Sequence, residues 1–296
     1  MTPARLAFPA MLAGSVALAF GPWLVRSADV PPVASAFWRM AIAMPLLGAL
    51  AAMAAQRAGG TEAPLPRGGL AAIAAAGVLF AADLALWHMG IVRTTLANAA
   101  LVSNCASFLL PAYGFAVART WPGRRAIAAL LLAAAGLALL IGRSADVSAT
   151  HLLGDLLCVG AGVAYTAYFI ALDRVRASVP PLKLLAIATV FGALALLPVA
   201  ALGGPWWPHL WWPLVLLAIG SQVIGQGLVV FAVGHLPPLV VGLTLLVQPA
   251  IAATIGAYRY GERLGPAELA GMVLVAVALV LVRLPGRVGT AQAVPE

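Results

Sequence analysis

The sequence predicts an all-α membrane protein, with ten transmembrane helices as two inverted five-helix repeats around a central cavity. Three observations carry that expectation. First, hydrophobic residues make up 63% of the 296 residues, charged residues only 9%, and mean hydropathy is +1.03. A soluble domain averages about 45–50% apolar and about 25% charged residues, so this chain has too few charges for a water-facing surface. Second, the apolar residues fall into ten runs, each near the ~20 residues that cross a bilayer. Third, the order of runs and breaks recurs in the second half of the chain.

The ten runs cover 6–25, 33–55, 70–92, 95–117, 125–142, 152–172, 182–202, 211–233, 238–258 and 266–283. Turn residues and charges separate them: Pro31-Pro32, Gly59-Gly60, Trp121-Pro122-Gly123, Arg143 to Ala149, Pro180-Pro181, Gly203-Gly204-Pro205, Pro237-Pro238, and Gly261 to Pro266. An even number of spans puts both termini on one side, and basic residues choose the side. With the termini inside, eleven basic residues fall at inner ends and six at outer ends. Both termini are therefore expected in the cytoplasm. Trp206, Trp207, Trp211 and Trp212 then form an aromatic belt at the outer interface.

The formal net charge of +8 does not indicate a nucleic-acid partner, because 16 of the 17 basic residues are arginines placed singly or in pairs. The expected partners are the lipid bilayer and a small-molecule substrate, and the oligomeric state is left open. Cys105 and Cys158 both lie in apolar runs, where they read as small fillers rather than a disulfide framework.

A shift of 144 residues aligns the two halves without a gap. Leu101 falls on Leu245, Asn104 on Gln248, Arg119 on Arg263 and Pro122 on Pro266. Residues 1–143 and 144–296 are thus expected to be two repeats of one integrated transmembrane domain. An odd number of spans per half turns the second repeat upside down. In inverted repeats of this kind the site lies near the midplane between the repeats.

Buried polar groups in lipid must find a partner or line a cavity. At ~1.5 Å per residue, Asp83, Asn104, Tyr165, Gln222 and Gln248 come from five different helices and share one depth. Asp83 is the one carboxylate deep in a span. It reads either as a proton-coupling group or partner of a substrate amine, or as a structural pair with Arg39 or His88. Trp87 lies four residues on and shares its face. His88 reads as a proton carrier, a donor to a carboxylate, or a packing histidine. Arg39 either attracts a carboxylate or snorkels outward, with Trp38 beside it. Gln222 and Gln226 share a face, as do Thr244 and Gln248. Tyr165 and Tyr168 form an aromatic pair. Pro249 interrupts the ladder of the ninth span and reads as a hinge.

Three segments resemble the drug/metabolite transporter superfamily, in its branch of paired five-helix repeats. They are Ala36-Phe37-Trp38-Arg39-Met40-Ala41, the run from Ala85 to Leu101, and Gly261-Glu262-Arg263-Leu264. Two departures stand out: Ala118-Arg119-Thr120 replaces the usual turn, and Ser107 stands near the usual span-four proline. The resemblance implies a secondary transporter of the cell inner membrane, working without ATP hydrolysis. It places the cavity among spans 1–4 and 6–9, with spans 5 and 10 peripheral. Bacterial relatives of this kind include exporters of amino acids and related metabolites.

On this reading Asp83, Trp87, His88, Asn104, Tyr165, Tyr168, Gln222, Thr244, Gln248 and Trp38 bind the substrate, and Asp83 or His88 couples protons. Tyr165, Tyr168, Trp38 and Trp87 would receive an apolar side chain, which favours hydrophobic or aromatic amino acids. A drug cation, a sugar or a nucleotide precursor is the alternative solute. An integral-membrane enzyme is a further alternative, but no metal-ligand spacing or phosphate loop appears in the chain. No cofactor or metal is expected.

Overall fold

A computed structural model describes residues 3–59, 65–94, 99, 103–141, 149–260 and 265–283. Helices carry the described chain in order: α1 (Pro3–Ala19), α2 (Gly21–Ser27), α3 (Pro32–Arg57), α4 (Gly69–Ile91), α5 (Ala106–Ala118), α6 (Arg124–Ile141), α7 (Ala149–Asp173), α8 (Pro181–Leu202) and α9 (Trp212–Leu216). A π-helical stretch (Leu217–Gly225) continues α9 into α10 (Gln226–Val233). Then come α11 (Pro238–Leu245), α12 (Val247–Tyr260) and α13 (Pro266–Arg283). No strand occurs among the described residues.

Six stretches are long and apolar enough to cross a membrane: Arg5–Ser27, Pro32–Arg57, Gly69–Ile91, Leu152–Asp173, Pro181–Leu202 and Trp212–Val233. Ala106–Ala118, Pro238–Ala252 and Leu269–Val282 are shorter apolar helices. The outer surface suits lipid. Leu152, Leu156 and Val163 on α7, and Val273, Val277 and Val280 on α13, point outward at helical spacing. This is a multi-span membrane protein.

The expected fourth and ninth spans are less regular than their sequences suggest. Only Ala106–Ala118 of the fourth is described as a long helix, preceded by a turn at Asn104–Cys105. The ninth breaks at Leu246, three residues before Pro249. A proline has no N–H for the carbonyl four residues back, here that of Leu245, so the ladder lapses there. Asn98 and the segment Gly261-Glu262-Arg263-Leu264 lie outside the described residues.

Small residues bring the helices close. α3 packs along α8, α4 against both α7 and α8, α1 on α10, α5 on α11, and α6 on α13. A Cβ on Gly77 of α4 would meet the carbonyl oxygen of Ala188 at 2.4 Å, so at this crossing only a hydrogen fits. The main core joins α3, α4, α7 and α8 through Met40, Leu47, Ile73, Phe80, Tyr168 and Leu185. A second cluster, with Ala129, Ala133, Val275 and Ala278, ties α6 to α13 at the side.

Candidate functional site

A cavity of about 110 Å³ lies between α1, α2, α3, α4, α7, α10 and α12. Its polar lining comes from Arg39, Asp83, Ser103, Asn104, Tyr165, Gln226 and Gln248. Phe80, Leu84, Trp87, Leu245 and Pro249 supply apolar wall. Among the described residues, none of α6 or α13 lines it.

Arg39 is held by packing on α3 with 3% of its surface exposed. It does not snorkel. Its Nε donates to Gln222 Oε1 at 3.0 Å, and its guanidinium carbon sits 5.8 Å from the centre of the Phe80 ring. Gln222 in turn donates through Nε2 to Thr189 Oγ1 at 3.2 Å. Asp83 reaches the same cavity from α4, yet no ion-pair contact forms between its carboxylate and Arg39. A guanidinium and a carboxyl group thus face one small cavity without forming an ion pair.

A second polar chain joins two lining residues to Tyr168. The Tyr165 hydroxyl donates to Gln226 Oε1 at 3.3 Å, and Gln226 Nε2 donates to the Tyr168 hydroxyl at 3.2 Å. Phe80 stacks on Tyr168 at 4.7 Å between ring centres. Tyr165 and Tyr168 lie 5.9 Å apart and nearly parallel.

Four of the five groups expected at one depth line the cavity: Asp83, Asn104, Tyr165 and Gln248. Gln222 stands one layer behind and holds Arg39 instead. Tyr168 is fully buried behind Gln226. Thr244 does not share the cavity with Gln248, because the break at Leu246 turns the two apart; its hydroxyl bonds back to Val240 O at 2.6 Å. Gln222 and Gln226 likewise serve different partners, since π-helical turns take in more residues than α turns and rotate the spacing.

His88 is fully buried outside the lining. Its Nδ1 is 2.7 Å from Ser35 Oγ and 3.1 Å from Pro32 O, while its Nε2 meets no partner among the described residues. It therefore pairs with the start of α3 rather than with Asp83. Trp38 also lies elsewhere. Its Nε1 donates to Trp206 O at 2.7 Å, its ring stacks on Trp206 at 5.6 Å, and Trp207 and Trp211 meet it edge-on. Trp206, Trp207 and Trp211 of the expected belt thus form a ring cluster joining α3 to the α8–α9 loop, while Trp212 pairs with Trp23 of α2 at 5.9 Å. The same loop is held again by Asp29, whose Oδ2 accepts from the backbone N–H groups of His209 and Leu210, each at 2.9 Å.

Sequence reasoning misses Gln226 as a lining residue, along with Phe80, Ser103 and the wall from Leu18, Ala19 and Pro22. Phe80 lies three residues before Asp83, so helical spacing points to it, whereas Ser103 joins Asn104 in the lining only because the chain turns at Asn104–Cys105. Leu18, Ala19 and Pro22 are apolar, so nothing in their side chains marks them as lining.

An apolar helical body with one charged internal cavity defines a membrane solute carrier rather than a water-soluble protein. The chain belongs to the EamA-like transporter family, part of the drug/metabolite transporter superfamily, whose profile matches residues 5–142 and again 152–284. It is similar to the threonine/homoserine exporter RhtA of Escherichia coli K12, 34% identical over 143 residues, which is 47% of this chain and 48% of the relative. It is also similar to RhtA of Salmonella typhimurium LT2, 27% identical over 170 residues and 56% of each chain. The chain thus spans about half the length of the curated relatives it matches. A solved crystal structure shares its fold at TM-score 0.74, with 19% identity over 95% of this chain and 96% of the other.

Proposed function

We propose that the protein exports small zwitterionic amino acids by alternating access around the cavity. One observation carries the reading: Arg39 and Asp83 face the same cavity without pairing. In a low-dielectric interior, opposite charges kept apart attract a solute carrying both complements. The substrate carboxylate binds Arg39 and its ammonium binds Asp83. Asn104, Ser103 and Gln248 offer further hydrogen bonds. The RhtA relatives, named as threonine/homoserine exporters, support this choice of substrate class.

The volume favours small side chains. An engineered cavity of about 150 Å³ holds benzene alone, whereas this one is about 110 Å³ and must also hold the charged head group. Of the four residues on which an aromatic preference rests, Tyr165 and Trp87 line the cavity, whereas Trp38 and Tyr168 lie outside the lining. Threonine and homoserine fit the reading better than tryptophan.

The proposed architecture is ten spans in two inverted repeats, 1–143 and 144–296. The helix contacts support it. Counting spans, the second packs on the seventh, the fourth on the ninth and the fifth on the tenth; the third-on-sixth and first-on-eighth contacts exchange under the same half-chain shift. Asn104 and Gln248, equivalent by that shift, both sit beside a helix break and both line the cavity. Broken helices at a midplane site are a recurring transporter device. Both termini are placed in the cytoplasm and the protein in the cell inner membrane. Asp83 is the proposed proton-coupling group, with His88 as a second candidate.

The test is efflux from liposomes holding the full chain, loaded with threonine, homoserine, phenylalanine or tryptophan. Threonine and homoserine should leave faster than from empty liposomes, and Arg39→Met, Asp83→Asn and Gln248→Ala should each slow them. If no amino acid moves above the background, the reading fails. If all three variants transport normally, the cavity is not the site.

A further inference from the structure

We propose that Gln222, backed by Thr189, is a positioning residue that holds the Arg39 guanidinium away from Asp83, leaving both charges open to substrate. The inference rests on the zwitterion reading above and assigns to Gln222 a role other than substrate contact.

Arg39 and Asp83 line one cavity inside an apolar helical body, where opposite charges attract more strongly than in water. Left free, a flexible arginine side chain would swing onto the carboxylate and cancel the site. Three contacts oppose that collapse. Gln222 Oε1 accepts from Arg39 Nε at 3.0 Å, and the guanidinium rests over the Phe80 ring. Gln222 cannot follow the arginine, because its own Nε2 is tied to Thr189 Oγ1 on α8 at 3.2 Å. Gln222 and Thr189 are both fully buried, so neither competes for water.

The amide occupies the Nε edge alone. The terminal guanidinium nitrogens, the pair that forks onto a carboxylate, meet no protein acceptor among the described residues. The π-helical stretch explains the reach of Gln222. Extra residues in its turns rotate Gln222 toward α3 and α8, while Gln226, one residue past the stretch, turns to Tyr165 and Tyr168. A neutral amide suits this task, since a carboxylate there would itself bind the arginine.

The test reconstitutes the full chain in liposomes. It compares L-threonine with N-acetyl-L-threonine, which keeps the carboxylate and loses the ammonium. Gln222→Met removes the acceptor at similar volume. It should raise the half-saturation concentration for threonine about tenfold, with the maximal rate within about twofold of wild type. Inhibition of threonine efflux by N-acetyl-L-threonine should weaken in parallel. Adding Asp83→Asn to Gln222→Met should return that inhibition to the level of Asp83→Asn alone, because the competing carboxylate is gone. A merely structural role for Gln222 predicts no such rescue. Should Gln222→Met fail to fold, Thr189→Val loosens the same amide from behind and should give a smaller rise with the same rescue. An unchanged half-saturation concentration, or a double variant that binds the acetylated probe as weakly as Gln222→Met, overturns the proposal while the zwitterion reading stands. If Arg39→Met and Asp83→Asn each leave threonine transport untouched, the zwitterion reading falls and this inference with it.

Discussion

Gly77→Ala adds one methyl group at the crossing of α4 and α8. The new Cβ would stand 2.4 Å from the Ala188 carbonyl oxygen, 2.9 Å from Phe191 Cβ and 3.2 Å from the Ala188 carbonyl carbon. Two of these three obstacles are backbone, so no side-chain rotation relieves them. Ordinary contact requires the helices to part locally by about 1 Å, in an interior packed as densely as a crystal. Overpacking of this kind costs about 1–3 kcal/mol, and backbone obstacles place it toward the upper end. Alanine recovers about 1 kcal/mol of helix propensity over glycine. The net is a loss of about 1–2 kcal/mol, or a fall of about 2–3 °C in melting temperature for a chain of this length. Gly48→Ala is the matched control, a lipid-facing helical glycine with nothing within 4 Å of its added Cβ. It should leave the melting temperature unchanged or slightly raised. Thermal unfolding of both variants in one detergent decides the matter. A Gly77→Ala protein that melts at or above wild type, beside a well-behaved Gly48→Ala, refutes the reasoning. Because Thr189 follows Ala188 on α8, the same variant should also weaken the threonine binding proposed above.

Further outcomes follow from other contacts. Gly154→Ala sets a Cβ 2.9 Å from the backbone of Arg93 and Thr94 and should likewise lower the melting temperature by several degrees. Arg119 holds φ 50 at the end of α5, a left-handed geometry costing a non-glycine residue about 1–2 kcal/mol; Arg119→Gly should therefore raise the melting temperature in the same assay. Asp29→Ala removes the acceptor for the His209 and Leu210 N–H groups. Hydrogen exchange at those two amides should quicken, with little change in global stability because the carboxylate is exposed. Trp38→Phe keeps a ring against Trp206 but loses its hydrogen bond, and Trp38→Ala loses both. Tryptophan fluorescence should shift more in the alanine variant, and the threonine transport proposed above should survive in both, since Trp38 lies outside the cavity lining.

Much of the candidate site is legible in the sequence. A lone carboxylate in an apolar run has few reasons to be there, so Asp83 stands out by its position alone. Depth and the half-chain shift point to Asn104 and Gln248, and depth alone points to Tyr165. The departures share one cause. Pairing Thr244 with Gln248, and Gln222 with Gln226, assumes unbroken α-helical turns. The break at Leu246 and the π-helical stretch change the rotation of each helix between the paired residues. A small change in turn geometry redirects every side chain beyond it. Trp38 departs for a different reason. Its neighbours in sequence suggest a cavity wall, but its stacking partners lie far along the chain, in the α8–α9 loop.

By itself the sequence determined the solvent. So few charges over 296 residues leave lipid as the one medium in which the chain's surface is stable, and helices follow because lipid offers no partner for backbone polar groups. It also determined which polar residues needed an explanation. Only the tertiary structure decided which of them meet. Arg39 and Gln222 lie 183 residues apart, and no local pattern connects them. Their hydrogen bond depends on how closely α3, α8 and the π-helical stretch approach, and that closeness is set by packing at glycines such as Gly77. Burial is an average property that composition reports, whereas contact between two particular side chains is a matter of ångströms and is settled only when the helices dock.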